Sequence, residues 1–160
     1  MIAKAATISH GGNAFRYSVN KDKAEIVKVN FLPDDISAEA MYQRMVLKQK
    51  EFASTINKGR PLKRNVIRME ISPTKEESAG WTLDDWVRLA NEYIQIFDSI
   101  DLSKKAKRAS AKCTNVRNSQ YIVALHHDAK SGIPHLHIDV NRVDMNGKVN
   151  DDHLIAERAM

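Results

Sequence analysis

The chain has 160 residues, one cysteine and a formal net charge of +5, which is room for one domain with a real core and too few cysteines for a disulfide framework. No apolar run approaches the roughly 18 residues of a membrane span and the start carries no signal-peptide pattern, so the expectation is a soluble protein of a reducing cytosol. The excess of Lys and Arg favours a polyanionic partner without naming one.

Met1 to Ile8 reads as a short strand that ends at Ser9-His10-Gly11-Gly12, where two glycines permit a tight turn or a close backbone approach to a phosphate. Asn13 is placed to cap a short helix through Phe15 and Tyr17 to Val19, with Lys21-Asp22-Lys23 ending it. Ala24 to Leu32 alternates as a strand and Pro33 closes it. From Ser37, Met41, Met45, Phe52 and Ile56 recur at helical spacing, and Asn57-Lys58-Gly59 predicts the stop. Arg64 to Ser72 alternates again, with Ile67, Met69 and Ile71 on one face and Arg68, Glu70 and Ser72 on the other. Thr82-x-x-Asp85 predicts a capping box for a helix over 83–97, whose Trp86, Ala90, Ile94 and Phe97 form an apolar stripe.

Leu102 to Gln120 carries Lys104, Lys105, Lys107, Arg108, Lys112 and Arg117 and no acid. Such a stretch is either a solvated loop or a segment held along a phosphate backbone. Two strands follow within Tyr121 to Asn141, then an Asn146-Gly147 turn and a helix from about Asp151 to Met160. The element order predicts an α+β domain with a central antiparallel sheet and helices covering its apolar face.

Four of the six histidines lie between positions 126 and 137. Strand alternation projects His135, His137, Asp139 and Asn141 to one side, and Leu136, Ile138 and Val140 to the other. Two histidines one residue apart on a strand can share a metal ion, and a reversal through Gly132-Ile133-Pro134 brings a third from the preceding strand. His126 is favoured over His127 by strand parity. Three imidazoles leave open positions for substrate oxygens, and Asp128 or Asp139 could orient a ligand through its other ring nitrogen. No His-Glu-x-x-His helix and no cysteine set competes for a zinc role. Glu70 is a candidate carboxylate base. A tyrosine oxygen is an alternative nucleophile for phosphodiester cleavage. Of the four tyrosines, Tyr17, next to Arg16, is the one least explained by packing.

The residues His126-x-Asp128, Pro134-His135-Leu136-His137-Ile138 and Asn141-Arg142 resemble the third motif of conjugative relaxases, the mobilization nucleases of the HUH endonuclease class. Ile67 to Pro73 is similar to the second motif and Gly11 to Asn20 to the first, in the family's order. Within the relaxases, the likeness is greatest to mobilization proteins of Bacteroides-type elements. The resemblance implies a five-stranded antiparallel sheet with flanking helices, and a chain that is the N-terminal part of a longer bacterial cytoplasmic protein. It implies that Tyr17 attacks single-stranded DNA at a transfer origin, leaving a 5′-phosphotyrosyl link. It implies that His126, His135 and His137 hold a divalent cation, Mg²⁺ or Mn²⁺. Glu70 would assist at the metal or the tyrosine. Ser72, Arg16, Asn141, Arg142 and the basic segment would contact DNA, and relaxosome accessory proteins and a coupling protein would be partners. The alternatives are a DNA-binding relaxosome module that does not nick, and a replication initiator or transposase of the same chemistry.

Overall fold

The computed structural model describes all 160 residues. Five strands, β1 (Ile2–Ile8), β2 (Glu25–Asn30), β3 (Val66–Ser72), β4 (Ser119–His126) and β5 (His135–Asp144), form one sheet in the order β1-β3-β5-β4-β2. Every pairing is antiparallel. The helices are α1 (Gly11–Asn20), α2 (Ala38–Glu51), α3 (Leu83–Ser99), α4 (Ser103–Ala106) and α5 (Ile155–Arg158). This is the expected α+β architecture.

One face of the sheet is the apolar half of the alternation. Ile67, Met69 and Ile71 of β3 share it with Leu136, Ile138 and Val140 of β5 and Val123 of β4. The stripe Trp86, Ala90, Ile94 and Phe97 of α3 packs there, as its spacing predicts, and α5 adds Ile155. The Thr82 amide donates to Asp85 Oδ2 at 2.8 Å, the reciprocal half of the expected capping box.

The other face is roofed as well. Phe15 of α1 and Met41 and Met45 of α2 pack with Val66 and Ile122 into a second core. That roof covers only the end of the sheet near Val66. The polar row of β5 therefore runs from an open end at His135 into a buried end at Asn141, and Asp139 and Asn141 are fully buried.

Several local expectations change. Asn13 does not cap α1: the helix begins at Gly11, and Asn13 lies inside it, accepting from Arg16. The glycines serve packing instead of a phosphate. A Cβ at Gly11 would stand 2.5 Å from Val66 Cγ2 and 2.6 Å from Tyr42 Cε2, so their absence lets α1 close onto β3 and α2. Helix α2 starts at the Ser37 cap, as predicted, but ends at Glu51, before Asn57. The C-terminal helix is one turn, Ile155–Arg158, not the whole of 151–160. Residues 102–118 are not a simple loop; they fold as α4 and two 3-10 turns. Asp98 of α3 anchors them by accepting from Thr114 Oγ1 and from the Val116 and Arg117 amides.

Candidate active site and metal centre

Strand register assembles the site. Across the β4–β5 hairpin His126 pairs with His135, and on the other side of β5 His137 pairs with Glu70 and Asp139 with Arg68. Paired residues of an antiparallel sheet share a face, so three histidines, a carboxylate and an arginine converge at one end of the polar row. The ring centroids of His126 and His137 are 4.4 Å apart, and those of His135 and His137 4.9 Å. His127 lies beyond the end of β4 and is exposed, whereas His126 is buried with His135 and His137.

One candidate ligand atom from each of His126, His135 and His137 lies within 4.8 Å of the other two. The hydrogen bond of His126 suits that use. His126 Nε2 donates to the Ser18 carbonyl at 3.1 Å, which leaves the lone pair on Nδ1. His126 Nδ1 and His137 Nε2 are buried without a hydrogen-bond partner. A buried polar nitrogen without a partner is costly, and ligation would satisfy both. Burial is the first cause that holds His126 below the usual imidazole value. It also pushes His137 down to about 3, with the Arg68 guanidinium the next cause. Neutral rings with free lone pairs are what a metal needs. The three residues could therefore hold a cation.

Tyr17 projects from α1 over this cluster. Its ring centroid is 5.3 Å from that of His126 and 5.6 Å, edge on, from that of His137. Two cations attend it: Arg68 Cζ and Lys21 Nζ each lie 5.0 Å from the ring centroid. Helix α1 is locked in this phase by Ser18, whose hydroxyl donates to Asp139 Oδ2 at 2.5 Å while its carbonyl holds His126. The other tyrosines are engaged elsewhere. Tyr42 packs on Gly11 and Phe15, Tyr93 donates to the Ala159 carbonyl and is pushed up to about 12 by burial, and Tyr121 is buried. A cleft of about 650 Å³ opens in front of Tyr17, and its wall includes Glu70, Ser72, Lys75, Asp128, His135 and His137.

The expected second carboxylates take different places. Asp128 lies at the mouth, its Oδ1 3.7 Å from His126 Nδ1 and its Oδ2 3.3 Å from Lys21. Asp139 is sealed beneath α1, and burial pushes its carboxyl above the usual carboxylate value. Glu70 is on the cleft wall but outside the cluster of three histidines.

Four sets of expected DNA contacts do not join the cleft. Asn141 is fully buried and its amide is spent on Gln49, Gln120 and the Met45 carbonyl, so it ties α2 to the sheet. Arg142 donates to the Asn150 and Arg64 carbonyls and pairs with Asp152 at 2.7 Å, a structural role. Arg16 turns toward Glu39 of α2 at 3.8 Å, away from the cleft. The basic segment lies on the α3 side of the sheet, where Lys105 meets Glu157 and Arg108 meets Asp151. It feeds into the start of β4, which has eight residues; at about 3.3 Å per residue, roughly 23 Å of strand separates that start from His126. Conversely, Arg68, Ser18 and Lys21 were not singled out from the sequence. For Arg68 the signal was there, since alternation puts it beside Glu70 and Ser72. Ser18 and Lys21 had none, because their roles come from the docking of α1.

No helix is long and apolar enough to cross a membrane. Searches of curated proteins and of solved structures return no match. The family model described as "Relaxase: MobA/VirD2-like, nuclease domain" matches residues 16–160, nearly the whole chain, leaving out β1 and the first half of α1. The sheet order, the histidine cluster and that match together place the chain in the relaxase family as a nuclease domain that nicks DNA in mobilization.

Proposed function

We propose that the domain cuts one strand of DNA at the transfer origin of a plasmid or transposon and keeps the cut end as a 5′-phosphotyrosyl ester on Tyr17. The observation that carries this is the placement of Tyr17, the one tyrosine of the cleft, against two of three clustered histidines. In the reaction Tyr17 Oη bonds to phosphorus, the P–O3′ bond breaks and the 3′-oxygen leaves with a proton. One phosphodiester replaces another, so the reverse attack by a 3′-hydroxyl religates the strand without an energy source. Glu70, on the cleft wall, is the carboxylate assigned to receive the tyrosine's proton.

A divalent cation held by His126, His135 and His137 would polarise the scissile phosphate. Three nitrogen donors without a carboxylate suit Mn²⁺ better than Mg²⁺, which prefers oxygen. Arg68 and Lys21 supply positive charge beside the nucleophile, and Ser72 and Lys75 hold the strand along the cleft. Lys104, Lys105, Lys107, Arg108, Lys112 and Arg117 are exposed on the far side and would bind flanking DNA, accessory proteins or the coupling protein.

The test is conversion of a supercoiled plasmid carrying the DNA beside the protein's own gene to its nicked form with Mn²⁺. Wild type should nick, chelator should abolish nicking, and Tyr17→Phe should lower the rate at least about 1,000-fold. Undiminished nicking by Tyr17→Phe would exclude the tyrosine as nucleophile. No nicking by wild type under any divalent ion would leave a DNA-binding module.

A further inference from the structure

The contact between Arg68 and His137 sets two uses of one ring against each other. Arg68 Nη2 lies 3.1 Å from His137 Nδ1. A guanidinium offers donors and no acceptor, so Nδ1 must accept, and a neutral ring then carries its proton on Nε2. His137 Nε2 is buried without a hydrogen-bond partner, and the ring centroid lies 4.4 Å from that of His126 and 4.9 Å from that of His135. A ring that ligates through Nε2 needs its lone pair there and its proton on Nδ1. That proton would face the Arg68 donor. Ligation through Nδ1 meets the guanidinium itself. On either route, His137 cannot serve as a ligand while Arg68 holds it.

The surroundings give both groups somewhere to go. Asp139 lies two residues from His137 on the same face and opposite Arg68 in register, and its buried Oδ1 has no hydrogen-bond partner. It is the type of acceptor that fixes the Nδ1–H of a ligand histidine. The Arg68 guanidinium already lies over the Tyr17 ring, beside the cleft where a phosphate would meet the nucleophile. A planar cation with paired donors matches phosphate oxygens.

We propose that Arg68 is an exchange residue: it occupies His137 until a divalent ion binds, and then passes its guanidinium to the DNA phosphate at Tyr17, so that metal and DNA each promote the binding of the other. This rests on the reading of the triad as a metal site. The coupling must be reciprocal, since it is an equilibrium property.

The test is calorimetric titration of Mn²⁺ into the full chain, for wild type and Arg68→Met, each in a Tyr17→Phe background that prevents cleavage. With Mn²⁺ alone, Arg68→Met should bind about tenfold more tightly, because one charge-assisted hydrogen bond no longer competes. A single-stranded oligothymidylate should then tighten Mn²⁺ binding to the Arg68-containing protein and leave Arg68→Met nearly unchanged. Equal or weaker Mn²⁺ binding by Arg68→Met overturns the exchange, as does an oligothymidylate effect of equal size in both. If neither protein binds Mn²⁺, the metal reading beneath it falls too, which separates the two failures. Nitrogen-15 NMR of the histidine rings gives a check that needs no variant. In chelator His137 should show a proton on Nε2, and on adding Mg²⁺ or Zn²⁺ it should move to Nδ1. A proton on Nδ1 already in chelator would contradict the proposal.

Discussion

His137 is held neutral by its burial against β3 and by the Arg68 charge, which push it down to about 3. His126 is shifted the same way, with burial again the first cause. In the unfolded chain both rings take up a proton near the ordinary imidazole value of about 6.5. Between that pH and about 3 the unfolded state binds protons that folded His137 refuses, so stability is lost as pH falls through this window and levels off above it. In chelator, the thermal midpoint should drop on the order of 5 °C between pH 7 and pH 5. Asp139 acts in the opposite sense, because its raised carboxyl favours folding most at low pH and loses that advantage as pH rises. The measurement is therefore a comparison of wild type with His137→Asn, which retains Asp139. The variant should have the flatter pH dependence, and equal slopes would mean that His137 is not buried as described.

At the scale of elements, the position of Tyr17 depends on how α1 sits, and α1 sits where Gly11 allows. A methyl group at Gly11 would press on Val66 and Tyr42. Gly11→Ala should cost about 1–3 kcal/mol of stability by denaturant titration, and it should slow DNA cleavage through displacement of Tyr17; wild-type stability would show that the two elements can separate at no cost. The strands, the long helices and the histidine row were legible from alternation, helical spacing and capping residues, because those patterns reflect a local period. What was not legible depends on which element roofs which part of the sheet. Asn141 and His137 occupy equivalent positions in the alternation of β5, yet α2 covers one and the cleft exposes the surroundings of the other. The glycine pair read as well for a phosphate turn as for a helix contact. The positive charge of 104–117 was plain, but its distance from the cleft follows from the path through α3 and β4.

For the whole molecule, under the proposed function, that distance would divide DNA binding into two regions. Tyr17, His135 and His137 line the cleft between α1 and the β4–β5 hairpin, and the six exposed basic residues of 104–117 lie at the far end of the α3 side. Neutralising Lys104, Lys105 and Lys107 should leave cleavage of an oligonucleotide about ten bases long within about twofold of wild type. The same change should reduce the salt dependence of binding to long DNA by up to about three phosphate contacts. A large loss of short-oligonucleotide cleavage would mean that the segment reaches the cleft after all.

In the proposed reaction Tyr17 forms a covalent bond to DNA beside a metal held by three histidines. It is tested most directly by incubating the protein and Mn²⁺ with labelled single-stranded oligonucleotides that tile the DNA beside its gene. Adducts are separated on a denaturing gel and the modified peptide identified by mass spectrometry. The expected product is a 5′-phosphorylated adduct on the peptide containing Tyr17, lost with chelator and in His135→Ala and His137→Ala. An adduct on Tyr42, Tyr93 or Tyr121, or cleavage that leaves no protein-bound DNA, would contradict it.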